Sequence, residues 1–87
     1  MAEKVTIYGE REEPAEDRVA FIAKFGATEN PCVISRGALE LLAKGDSGGM
    51  LYLFNAHRER IAEVVRRRLA MNLGIMPILT ANDFHTG

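Results

Sequence analysis

Between Gly49 and Gly74 the chain contains neither proline nor glycine. Nothing in that stretch interrupts the i→i−4 hydrogen bonds of a helix, so it predicts one long helix from about Gly49 to Asn72, closed by Gly74. Leu51, Phe54, Ile61, Ala62, Val65 and Leu69 recur along it at helical spacing and form an apolar stripe. A helix with one apolar stripe must lay it on another apolar surface. In a chain of 87 residues there is material for one core only, so residues 1–87 are read as a single domain.

The rest of the chain supplies a sheet for that helix. Val5 to Tyr8 alternates as a short strand does, and Gly9 to Asp17, acidic and interrupted by Pro14, reads as a solvated connection. From Arg18 to Phe25 the period is two, with Val19, Phe21, Ala23 and Phe25 on one side. Gly26 to Pro31 is rich in turn residues, and Cys32-Val33-Ile34 then returns as an antiparallel strand. Ser35 is placed to cap a short helix carrying Leu39, Leu41 and Leu42, which Gly45 stops. Ile75 to Thr80 reads as a last strand, at a sheet edge or short because Pro77 lacks a ladder N–H. Phe84 docks the end, and residues 85–87 form a tail.

The expected fold is therefore α+β: a small, mostly antiparallel sheet of three to four strands, with one short and one long helix packed on one face. Its expected core takes Val19, Phe21, Phe25, Ile34 and Ile78 from the sheet. Leu39, Leu42, Phe54, Ile61, Val65 and Leu69 come from the helices. A sheet covered on one side, with a proline-bearing edge, leaves surface through which a homodimer or a complex with another protein could form.

Lys and Arg number 11 against 12 Asp and Glu, and the resulting net charge of −1 supplies no field to gather nucleic-acid phosphates. Cys32 is the single cysteine, which rules out an internal disulfide and fits a reducing cytoplasm. No apolar stretch approaches the roughly 18 residues of a membrane span. No set of ligands has metal-site spacing, and no cofactor is implied.

Two stretches stand out together. Cys32-Val33-Ile34-Ser35-Arg36-Gly37-Ala38-Leu39 and Phe54-Asn55-Ala56-His57-Arg58-Glu59-Arg60-Ile61 follow the pattern C-x-I-S-x-x-x-L and then F-x-x-H-R-x-x-I. In that spacing, and in the order of elements from the Arg18 strand to about Phe84, the chain resembles the bacterial family called domain of unknown function 1488. The resemblance supports the fold and implies no reaction, cofactor or partner.

Several motifs invite a chemical reading. Gly45-Asp46-Ser47-Gly48-Gly49 spells the surroundings of the nucleophile in trypsin-like proteases, but there the histidine precedes the serine in a two-barrel fold. Here His57 and His85 both follow Ser47, and one small core cannot build two barrels. The plain reading is a loop between helices, with Asp46 or Ser47 as N-cap. Its glycines could receive an anion, yet no P-loop lysine follows them. Cys32, set beside Val33 and Ile34, reads as a core thiol.

The arginines of the long helix divide by position. Arg60 and Arg67 share the polar face, with Glu63 four residues before Arg67 for support. Arg58 falls inside the apolar stripe, where its charge must reach solvent, meet a carboxylate, bond to backbone carbonyls, or face a ligand or partner. His57 and Arg68 flank the same stripe, so Arg58, His57 and Arg68 are the candidate binding residues of a cationic notch. Two functions follow: a non-enzymatic accessory or protein-interaction module, with a small-anion or nucleotide-binding domain as the alternative. An enzyme is the least favoured class, because no acid, base and nucleophile converge.

Overall fold

The computed structural model describes residues 4–46, 48–71 and 76–84. Four strands form one sheet in the order β1-β2-β3-β4. They are β1 (Val5–Glu13), β2 (Arg18–Phe25), β3 (Thr28–Ser35) and β4 (Ile78–Leu79). The first three pair antiparallel, and β4 runs parallel to β3. Three α-helices, α1 (Arg36–Ala43), α2 (Met50–Ala56) and α3 (Arg58–Ala70), complete the expected α+β fold with short 3-10 turns at Pro14–Glu16 and Ala81–Phe84.

The period-two pattern of β2 does what it predicts. Val19, Phe21 and Ala23 are buried and pair with Ile34, Cys32 and Asn30 of β3, while Ile7 of β1 lies opposite Ala23. This inner face meets the helices in one cluster that includes Leu39, Phe54, Ile61, Val65 and Leu79. Phe21 and Phe54 tie the two layers together, with ring centroids 5.0 Å apart and planes tilted by 56°, a favourable aromatic geometry. Phe84 is buried in the same cluster, as its place at the end of the chain suggested.

Several expectations need correction. The acidic Gly9–Asp17 segment is largely strand: β1 continues to Glu13, with a bulge where Gly9 and Glu10 stand opposite one β2 residue. Gly9 has φ +69, the left-handed setting that lets a bulge insert its extra residue. The connection from β2 to β3 is only Gly26-Ala27, since Phe25 already pairs with Thr28. Gly26, at φ 64, is the sole left-handed residue of that turn, as in a type II′ hairpin. Asn30 and Pro31 therefore belong to β3, where proline is tolerated because β4 covers only Val33 and Ile34 on that flank.

The long helix is two helices. His57, at φ −120 and ψ 26, ends α2 and precedes α3. Its N–H is shared between the carbonyls of Leu53 and Phe54. The break has neighbours that explain it: the Asn55 amide donates to the Leu51 carbonyl at 2.9 Å, and Arg58 is drawn toward β1. Side chains that engage the helical ladder bend helices without any proline or glycine. The expected closure at Asn72 and Gly74 lies outside the described residues, and α3 ends at Ala70.

The last correction concerns faces. In a two-residue β4, the parallel register sets Leu79 beside Ile34 and Ile78 beside Val33. A shift of one residue exchanges inside for outside, so Leu79 is in the core and Ile78 is 50% exposed. Phe25, Leu42 and Leu69 are half-buried rather than fully interior. β4 is both short and an edge strand, as Pro77 implied, although Ile75, its expected start, is outside the described residues. Ser35 caps α1 by accepting from Ala38 N at 3.1 Å. α1 turns off through Lys44 in the left-handed region and then Gly45. α2 is capped by Gly49; Asp46 instead donates its N–H to Ala43 at the end of α1, and Ser47 is outside the described residues.

Candidate functional site

Arg58 opens α3 within the apolar stripe, and its head group crosses to the edge of the sheet. One guanidinium nitrogen donates to the Ile7 carbonyl at 2.7 Å. The other donates to the Glu10 carboxylate and, at 2.9 Å, to the Asn55 side-chain carbonyl. The guanidinium carbon stands 5.6 Å from the Phe54 ring centroid, within cation–π range. Of the ways open to an inward arginine, this one combines a carboxylate with a backbone carbonyl.

The bulge makes the arrangement possible. An extra residue in β1 turns Glu10 away from the regular alternation, so that its carboxylate meets a guanidinium arriving from the helix layer. Sequence reasoning missed Glu10 because it lay in a segment read as solvated; the glycine just before it was the available signal.

Arg68 occupies the far end of α3. It pairs with Asp83 at 2.5 Å, and the other oxygen of Asp83 accepts from Thr80 N at 2.8 Å. Ten residues of helix put about 15 Å between the backbones of Arg58 and Arg68, so the two do not converge on one small ligand. His57 sits beside Arg58 in the chain, half-buried at the helix break. Arg60 and Arg67 both reach Glu63, at 2.7 and 3.0 Å, on the polar face. Cys32 is 1% exposed, and burial pushes its thiol up to about 11, far from the range of a reactive thiolate. Among the described residues no three His, Cys, Asp or Glu side chains are grouped to hold a metal ion, and no helix is long and apolar enough to cross a membrane.

The sheet has a second face. Alternation directs Tyr8, Ile22 and Pro31 away from the helices in one cross-strand row. Ala20, Val33 and Ile78 form the next row. Ala20 and Val33 are 6% and 5% exposed and stand outside the cluster that forms the core. Tyr8 is 38% exposed and Ile78 more so. Charged residues border the two rows. Lys24 and Glu29 stand opposite each other in register across β2 and β3 at the hairpin end, without an ion pair. At the opposite end Arg18 bonds to Glu13 at 2.6 Å. The Tyr8 hydroxyl hydrogen-bonds the Glu29 carboxylate, which raises the phenol's pKa above its ordinary 10.0.

Residues 8–74 match a family described as protein of unknown function (DUF1488). The chain belongs to the DUF1488 family. No curated protein and no solved structure matches it. The DUF1488 match spans the Glu10–Arg58 pair and most of the open sheet face, and it stops before β4 and before Asp83, the partner of Arg68.

Proposed function

We propose that the chain is a non-enzymatic protein-interaction module whose working surface is the open face of the sheet. The observation that carries this reading is the pair of apolar rows, Tyr8–Ile22–Pro31 and Ala20–Val33–Ile78, on the side of the sheet opposite the helices. Apolar side chains exposed at Tyr8, Pro31 and Ile78 around a small-residue centre, bordered by charge, are how a domain presents a site for another protein. The small-anion alternative at Arg58, His57 and Arg68 has less behind it, since each arginine already neutralises a carboxylate of its own chain. Inorganic phosphate shifting the Arg58 side-chain resonances at millimolar concentration would reverse that preference.

The test is photo-crosslinking of the full chain in cells, with benzoylphenylalanine in place of Ile22 on the open face or Tyr52 on the helical side. The expected result is a discrete protein adduct from position 22 and none from position 52. Adducts only from position 52, or from neither, would sink the reading.

A further inference from the structure

Resting on the proposal that the open sheet face binds protein, we infer that its partner is a second copy of this chain, packed face to face about a two-fold axis that runs parallel to the strands between β2 and β3. Such an axis lays β2 of one copy over β3 of the other at the same height along the strands. Lys24 then faces the partner copy's Glu29, and by symmetry Glu29 faces Lys24. Ile22 meets Pro31, Ala20 meets Val33, and Arg11 of β1 lies over Ile78 of β4, with its aliphatic stem against the exposed isoleucine. No like charges oppose each other: Arg18 lies over Ser35, and Tyr8 extends past the end of the two-residue β4.

The competing in-plane axis, perpendicular to the strands, lays β2 over β2 in reverse. Centred on the face, at the height of Phe21, it sets Lys24 against Arg18, a repulsion the first arrangement avoids. Lys24 has no ion-pair partner within its own chain among the described residues, so a cross-copy carboxylate gives it one. Aligned sheets pack with their strands about 30° apart, and the long Lys24 side chain spans the small lateral shift this brings at the end of the face.

Area and edges agree. Three strands of about eight residues and the two residues of β4 give a face of roughly 400 Å² per copy. The total of about 800 Å² is that of a weak, reversible association, formed at high chain concentration. Pairing through the β1 edge is discouraged by the bulge at Gly9-Glu10, by the charges of Arg11, Glu12 and Glu13, and by Arg58 holding the Ile7 carbonyl.

Sedimentation equilibrium of the full chain decides the matter. The expected species is twice 9.6 kDa. Lys24→Glu sets carboxylates against each other twice and should raise the dissociation constant at least tenfold. Lys24→Glu combined with Glu29→Lys should return it to within about threefold of the original. Circular dichroism of the variants checks that these exposed substitutions leave the fold intact. A chain that stays monomeric at hundreds of micromolar, or a dimer indifferent to Lys24→Glu, overturns the inference. In cells, a position-22 adduct of another mass would do so while leaving the interaction reading in place.

Discussion

Because Arg58 lies on the apolar stripe, removing it does more than delete a surface charge. Its loss leaves the Ile7 carbonyl without that donor and strands the Glu10 carboxylate, whose side chain is only 20% exposed. Truncating one member of a charge-assisted pair usually costs more than the pair contributes. Arg58→Leu should therefore destabilise the protein by about 2–3 kcal/mol, and Arg58→Leu with Glu10→Gln by less than the two changes summed, as read by urea denaturation. Cys32 makes the opposite kind of prediction. With its thiol near 11 instead of 9.0, and out of reach of solvent, it should resist maleimide at pH 8 in the native state and react at once in denaturant. Rapid native labelling would show that β3 opens. Glu13 carries the pH dependence: the hydrogen bond from Arg18, and then its charge, hold the carboxyl below its ordinary 4.5. A carboxylate depressed in the folded state stabilises above that value and loses its contribution as pH falls through the folded one. Glu13→Gln should therefore flatten the decline in melting temperature below pH 4.5.

Among the elements, the β1 bulge connects local conformation to the Arg58 cluster most directly. A Cβ on Gly9 would meet Ile22 at 3.6 Å, an ordinary contact, so the cost of Gly9→Ala comes from the left-handed backbone alone. About 1 kcal/mol of stability should be lost, and hydrogen exchange at Glu10 and Arg11 should accelerate more than at β2 amides. An unchanged midpoint would mean that the bulge tolerates a side chain. How legible each element was follows from whether its signal was local. β2 was plain because half-burial stamps period two on the sequence, and the Ser35 cap because its geometry is settled within four residues. The bulge, the break at His57 and the face of β4 were not plain, since each depends on pairing between distant segments: Glu10 with Arg58, Ile7 with Arg58, and Ile34 with Leu79. For the same reason the sequence singled out Arg58 as an inward charge but could not name the carboxylate it meets. The open face was half visible, as the Ala20, Ile22 and Lys24 side of β2, and needed the register to join it to Tyr8, Pro31 and Ile78.

At the scale of the whole molecule, among the described residues one layer of helices lies on one side of a four-stranded sheet and no helix covers the other side. If two copies cover each other there, folding and pairing are linked, and stability must depend on concentration. Each tenfold rise in chain concentration then adds about 1.4 kcal/mol per dimer, or about 0.7 kcal/mol per chain. An unfolding entropy of about 2.1 cal/mol/K per residue, taken over 87 residues, converts this to a rise of about 4 °C in Tm per decade of concentration. Differential scanning calorimetry from 10 to 1,000 µM, a range of roughly two decades chosen to bracket a micromolar dimer, should show that slope in the natural chain. Lys24→Glu should flatten it, because a weakened dimer dissociates before the chain unfolds. The core, which lies on the other side of the sheet, is untouched by that substitution, so the two Tm values should converge as dilution dissociates the natural dimer. A fall in Tm of the same size at every concentration would assign Lys24 a role within the fold. A flat profile for the natural chain would leave the sheet's open face to a different protein.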